Sequence, residues 1–320
     1  VVSQNMKLKY SILFIPVLAL ALILLFVGES GISSDLILIN ELRLPKVLAC
    51  LFAGGLLAVA GLLMQVFFQN PLAGPDILGV SSGSSFFVAI WMLAGAGLNP
   101  IVQKWGMNVM SFLGAISVFC LLLFFLKRNV SRVSLIIIGL LISSFASSGI
   151  SVLVSMSQAL QLKNFLVWSM GSFRNITQAD LPQFVLLSCF SLFPVWFFLK
   201  PLNQFLLSEN YAKSVGVNVK KMRIVFVTIA ALQISIVTLF CGPIGFIGII
   251  SPHLARIYLR RAQLIHLLPA VFLVGSFLAL VTELILVMTP SLSISVNAIL
   301  GLIGAPIIVL YLYRQRSLSL

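Results

Sequence analysis

The chain has 320 residues, of which 60% are hydrophobic and only 8% charged, and its mean hydropathy is +1.16. So little polar surface excludes a soluble globule and points to an all-α polytopic membrane protein. The formal net charge of +13 does not mark a nucleic-acid partner, because Lys and Arg fall in short clusters between apolar runs, as membrane topology requires.

About 20 apolar residues are needed for a helix to cross the hydrocarbon core. In chain order the runs 10–27, 47–68, 79–97, 107–126, 135–156, 181–199, 224–241, 264–288 and 296–313 meet or approach that length. The first follows Lys7 and Lys9 and lacks a small-residue cleavage site, so it reads as a retained span and not a signal peptide. A tenth run, 245–259, is short and broken by Pro252, and charge decides whether it crosses. With ten spans and both termini cytoplasmic, only Arg43, Lys46, Lys104, Lys163 and Arg174 lie outside, and the other fifteen of the 20 basic residues lie inside. If the tenth run stays on one side, Arg256, Arg260, Arg261, Arg314 and Arg316 all move outside. The reading is therefore ten transmembrane helices in one domain, 1–320.

Small residues at helical spacing, such as Gly54, Ala58 and Gly61, and later Gly301, Gly304 and Ala305, let helix backbones approach in lipid. Between the second and third spans lies FFQNPLAGPDILGVSSG, 67–83, a cytoplasmic turn without Lys or Arg. Pro71 and Pro75 stop the helix, Gly74 and Gly79 permit tight turns, and Asn70 and Asp76 can cap helix ends. The stretch suits either a constriction or an ordinary turn. The fifth span carries Ser143, Ser144, Ser147, Ser148 and Ser151, which either line a path or bond their own backbone. The polar segment 206–223 reads as two short helices, with Ser208 capping the first, Gly216 breaking it and Asn218 starting the second. A free polar loop is the alternative there. Cys50, Cys120, Cys189 and Cys241 sit in apolar segments without metal-ligand spacing, so they read as small buried hydrophobes. His253 and His266 form no ligand set either. The GxxxxGK[ST] spacing of an ATP site occurs nowhere in the chain.

The block RLPKVLACLFAGGLLAVAGLLMQVFFQNPLAGPDILGVSSG, 43–83, resembles the permeases of iron-siderophore, haem and cobalamin ABC importers, the FecCD or vitamin B12 type. GPIGFIGIISPHLAR at 242–256, WSMGS at 168–172 and LGLIGAP at 300–306 are similar to further parts of the same family, in the same order. The resemblance implies the type II importer fold, ten helices per subunit, with two permease copies enclosing the path. It implies a homodimer or a paralogous pair in the cytoplasmic membrane, with ferric siderophore the commonest cargo. Asn70 and Leu72 then form the cytoplasmic gate. Ser208, Glu209, Ala212, Gly216, Val217 and Asn218 belong to the segment coupled to ATPase subunits, which bind ATP and Mg in place of this chain. Arg43 and Lys46 match the outward basic pair that meets an acidic substrate-binding protein, with interfacial snorkelling the alternative. His253 stands where the family commonly has a His irrespective of cargo. Two departures stand out: Glu283 and Val287 replace an Asp followed four residues later by Arg, and Ser293 to Asn297 replaces a Glu-Leu-Pro stretch.

Two other function classes need features the sequence lacks. A secondary transporter requires coupling charges inside its helices, where Glu283 alone is available, and an intramembrane enzyme requires clustered nucleophile and base.

Overall fold

A computed structural model describes residues 2–28, 31–32, 35–94, 100–128, 130–259, 263–290 and 294–317. Arg260, Arg261 and Ser293, used above, lie outside the described residues. The chain runs through α1 (Val2–Phe26), a two-residue antiparallel ladder of β1 (Val27–Gly28) and β2 (Gly31–Ile32), and α2 (Leu36–Leu38). It continues through α3 (Leu44–Phe68), α4 (Val80–Ala94), α5 (Pro100–Lys127), α6 (Arg132–Met156), α7 (Ala159–Ser169), α8 (Leu181–Phe197), α9 (Leu199–Leu207) and α10 (Glu209–Ser214). The last four helices are α11 (Val219–Cys241), α12 (Ile247–Leu259), α13 (Leu264–Met288) and α14 (Val296–Ser317).

Each of the ten apolar runs holds a helix among the described residues, but they are not ten equal spans. Among the described residues six helices have the length and hydropathy to cross by themselves, and α8 and α9 together form a seventh, bent candidate. Val80–Leu93, Ile247–Leu259 and Val296–Val309 are shorter. The second span also starts earlier than expected. Leu36–Phe68 is continuous over 33 residues through a π turn at Ile39–Arg43. There the Leu44 N–H reaches back to the Ile39 carbonyl, so Pro45 falls where the helical ladder is already rewound and its missing N–H is tolerated.

The helix α3 is the axis of the molecule: 83% of its apolar window is buried, against 17% for α1 and for α6. Two glycine contacts bring its neighbours to backbone distance. A methyl group on Gly54 would collide with the Gly275 carbonyl of α13, and one on Gly61 with the Gly248 carbonyl of α12. The low burial of α1 and α6 leaves wide apolar faces for lipid or for another protein copy.

Hydropathy missed two helices. The amphipathic α9 turns 62° from α8 and buries Leu199, Leu202 and Phe205 on one side. Pro194 deprives α8 of an internal hydrogen bond shortly before the bend. The helix α7 opens on a capping box, in which Gln161 accepts from the Gln158 N–H at 3.2 Å.

The helix ends sort the charges. The α3 C-terminus, the α12 C-terminus, the α1 N-terminus and 199–214 gather at one end, joined by Gln69–Phe205, Arg256–Gln65 and Lys9–Leu259 hydrogen bonds. Arg43, Lys46 and Arg174 lie at the other end, around Glu283 and the end of α1.

Candidate functional site

The turn after α3 is built from its own polar atoms. Gln69 adopts the left-handed conformation, φ 49°, and its side chain donates to the Phe205 carbonyl at 3.2 Å. Asn70 Oδ1 accepts from the Leu72 N–H at 2.9 Å, and the Asn70 carbonyl accepts from Ala73 at 3.1 Å. This Asx turn satisfies the backbone where Pro71 cannot, and it lifts Leu72 to the surface, 38% exposed. Asn70 therefore shapes the turn, and Leu72 is the side chain presented.

The second family block supports the first from behind. Gln65 donates to the Ile249 carbonyl at 3.2 Å and accepts from Arg256 at 2.7 Å. His253, 1% exposed, meets the backbone of Pro71, and a methyl on Gly248 would run into the Pro75 ring. Asp76 is exposed at the surface beside this support.

The segment 206–223 folds as its capping residues dictate. Ser208 Oγ accepts from the Tyr211 N–H at 3.0 Å, and Asn218 Oδ1 accepts from Lys221 at 3.0 Å. Gly216, φ 85°, ends α10 in a Schellman arrangement: Val217 donates to the Ala212 carbonyl and Gly216 to that of Lys213. The second short helix is in fact the first turn of the long α11. Ala212 is buried and Glu209 turns inward to Arg132, Arg223 and Lys213. Burial pushes the Glu209 carboxyl up, but the Arg223 hydrogen bonds and the surrounding positive charges outweigh it and hold the group below its ordinary value. The exposed residues here are ones the sequence reading missed. Leu207, Tyr211 and Val215, four apart, expose 68%, 46% and 45% of their surface at the polar end of the molecule.

At the opposite end both members of the basic pair are largely buried. Arg43 is 5% exposed, and its guanidinium donates to the Leu25 and Phe26 carbonyls at 3.2 and 2.6 Å and to Gly31 at 3.3 Å. It closes the C-terminus of α1, whose last carbonyls have no helical partner. Lys46 Nζ lies 3.6 Å from Glu283 Oε1, and Arg174 Nε donates to the same oxygen at 2.8 Å. Glu283 is fully buried, so it draws both cations inward, while the Arg174 side chain stays 36% exposed. A cavity of 380 Å³ at this end is lined by Arg43, Lys46, Arg174 and Glu41.

The serines of α6 divide. Ser143 accepts from Ser82 of α4 at 3.0 Å and is part of the internal packing. Ser147 and Ser151 are exposed on the open face, with Ser151 donating to the Ser147 carbonyl. Along that face the half nearer Met156 carries Ser144, Ser147, Ser148, Ser151 and Ser155, and the half nearer Arg132 carries Val133, Ile137 and Leu140. Asn297, in the altered stretch, ties two of the family blocks together. It donates to the Met170 and Pro243 carbonyls at 3.1 and 2.8 Å and accepts from Gly245 at 3.0 Å. Among the described residues no three His, Cys, Asp or Glu side chains gather as a metal site.

Residues 7–314 match the model of the FecCD transport family. The chain is 30% identical over 280 residues to the vitamin B12 import system permease protein BtuC of Pectobacterium atrosepticum, covering 86% of this chain and 82% of that one. It is 27% identical to BtuC of Escherichia coli over 327 residues, 98% of each chain. A solved structure described as an inward-facing metal-chelate type ABC transporter superposes with a TM-score of 0.85 at 28% identity, covering 96% of this chain and 98% of the other. A family match over nearly the whole length, and a shared fold with the two signature blocks packed together, lead to one conclusion: the chain belongs to the FecCD transport family and is the membrane-spanning permease subunit of an ABC importer.

Proposed function

We propose that two copies of this chain enclose the path of a metal chelate, of the ferric siderophore, haem or corrinoid class, through the cytoplasmic membrane. The observation that carries this reading is the open face of α6, where a helix 17% buried presents a run of hydroxyls followed by an apolar stretch. A face of that kind suits a wet cavity for a large polar chelate above a dry closure, and it calls for a partner surface. The relatives named for a cargo are named for vitamin B12, and the structural neighbour for a metal chelate. A chelate cargo is common to both.

In this assembly both termini, the 69–79 turn and 206–223 face the cytoplasm, because that end holds most of the basic residues. Leu72, set by Asn70, closes the exit. Leu207, Tyr211 and Val215 dock the ATPase subunits, which bind ATP and Mg, on a frame built by Ser208, Ala212, Gly216, Val217 and Asn218. An exposed apolar row outside the hydrocarbon is the kind of surface a partner covers. The cavity lined by Arg43, Lys46 and Arg174 receives an acidic side chain of the substrate-binding protein.

The test is reconstitution in proteoliposomes with the partner ATPase and binding protein, supplying labelled cobalamin, haem and ferric siderophore in turn. ATP-dependent uptake of one of the three is expected. Uptake that persists without the ATPase and follows an ion gradient would instead make the chain a secondary transporter.

A further inference from the structure

The inward turn of Glu209 is not what ATPase docking requires. Glu209 is the first residue of α10, and its side chain is 17% exposed although the helix lies at the surface. Its two oxygens take Arg223 Nη2 at 2.8 and 2.7 Å, Lys213 Nζ lies 3.4 Å from Oε1, and Arg132 Nη2 donates to Oε2. The three cations come from different places. Lys213 belongs to α10 itself, Arg223 to the base of α11, and Arg132 is the first residue of α6, 77 positions away in sequence. Both arginine side chains are about four-fifths buried, and the Nε atoms of Arg132 and Arg223 make no hydrogen bond, so the carboxylate is what fixes each guanidinium. One carboxylate thus holds the base of the helix whose open face was assigned to the path.

We infer that Glu209, with Arg132, transmits displacement of the ATPase-docking segment to α6. The inference rests on the docking reading above and names the connection that reading lacks. α10 packs against α9 and α11, and α11 in turn against α3, the buried axis. The Glu209–Arg132 pair carries the connection to the poorly buried α6 instead. A shift of α10 then either pulls Arg132 along or leaves a partly buried guanidinium without its anion, and the second course is costly. Pulling the base of α6 moves Val133, Ile137 and Leu140, the apolar half of its open face. Glu209 is a positioning residue: it touches neither cargo nor ATP.

The test uses the full permease–ATPase complex in proteoliposomes with Glu209→Gln, Arg132→Gln and the double variant, reading ATPase co-purification, ATP hydrolysis and cargo taken up per ATP hydrolysed. Each single variant is expected to keep the ATPase bound and hydrolysing while uptake per ATP falls roughly tenfold, within the range that coupling networks show. The double variant should fall no further than either single one, because both remove the same link. Wild-type uptake per ATP in both singles overturns the inference, and so do losses that multiply in the double variant. Arg132 lies outside the docking segment, which separates the two readings. If Arg132→Gln couples normally while Glu209→Gln sheds the ATPase, docking stands and transmission falls. If Leu207→Ala, Tyr211→Ala and Val215→Ala together leave co-purification intact, the docking reading falls by itself. Should a glutamine variant fail to accumulate, Glu209→Asp and Arg132→Lys keep the charges but shorten the reach. Lowered uptake per ATP with the ATPase bound then supports the link, and a wild-type ratio overturns it.

Discussion

Arg43 and Arg174 carry the same charge at the same end of the molecule, yet their surroundings give them different work. Arg43 spends its donors on three carbonyls of 25–31, where a charged hydrogen bond contributes about 1.5–3 kcal/mol. Arg43→Lys, which cannot reproduce that fork, should lower the melting temperature of the purified permease. Arg174 is the partly exposed one of the two cations on Glu283, and its removal leaves the longer Lys46–Glu283 pair in place. Arg174→Gln should slow binding-protein association roughly tenfold at low ionic strength, and the difference should shrink as salt is added. An unchanged low-salt association rate in Arg174→Gln would remove the outer cavity from the docking surface. Substituting either Arg174 or Lys46 strips a partner from the buried Glu283, so the melting temperature of the variant is read beside its association rate.

Among the elements, α10 shows what the sequence carries and what it hides. Ser208, Gly216 and Asn218 were legible because each acts on backbone within a few residues of itself. The inward side of Glu209 was not, since its partner Arg132 is remote in sequence and lies on another helix. The same holds for Arg43, whose carbonyls lie 17 and 18 residues back on α1. α9 stayed hidden because hydropathy runs smoothly across Phe198 while the backbone turns there. The legible part supplies a test of the coupling segment. Gly216 sits at φ 85°, and a Cβ there would meet nothing within 4 Å of this chain. A side chain at 216 is therefore opposed by backbone strain and, in the assembly, by whatever docks. Gly216→Asn, which tolerates the left-handed region, should assemble with the ATPase almost normally, whereas Gly216→Trp should express and insert but lose co-purification. Equal retention of the ATPase by both variants would mean that nothing docks over this turn.

At the scale of the whole molecule, the position of the 69–79 turn follows from length. Leu36–Phe68 is 33 residues, about 50 Å at about 1.5 Å per residue, which exceeds the roughly 30 Å hydrocarbon core and carries its end to the membrane surface. An importer must close at that surface, and a turn without Lys or Arg can approach its copy in a second subunit without like-charge repulsion. Leu72 is exposed in the single chain although it is apolar, whereas the Asn70 side chain is held by the Leu72 N–H. Cysteine at 72 should therefore cross-link between two copies more readily than cysteine at 70. The background needs two replacements and not four: Cys120 and Cys189 are exposed, while Cys50 and Cys241 are buried beyond the reach of a reagent. Cross-linking at 72 should be strong in one nucleotide state of the ATPase-bound complex and weaker in another, as the exit closes and opens. A cysteine at Ser148, on the open face of α6, serves as the control for subunit contact. If the control links and neither 70 nor 72 does in any nucleotide state, the turn is a helix connection held by α12, and the closure lies elsewhere along α6.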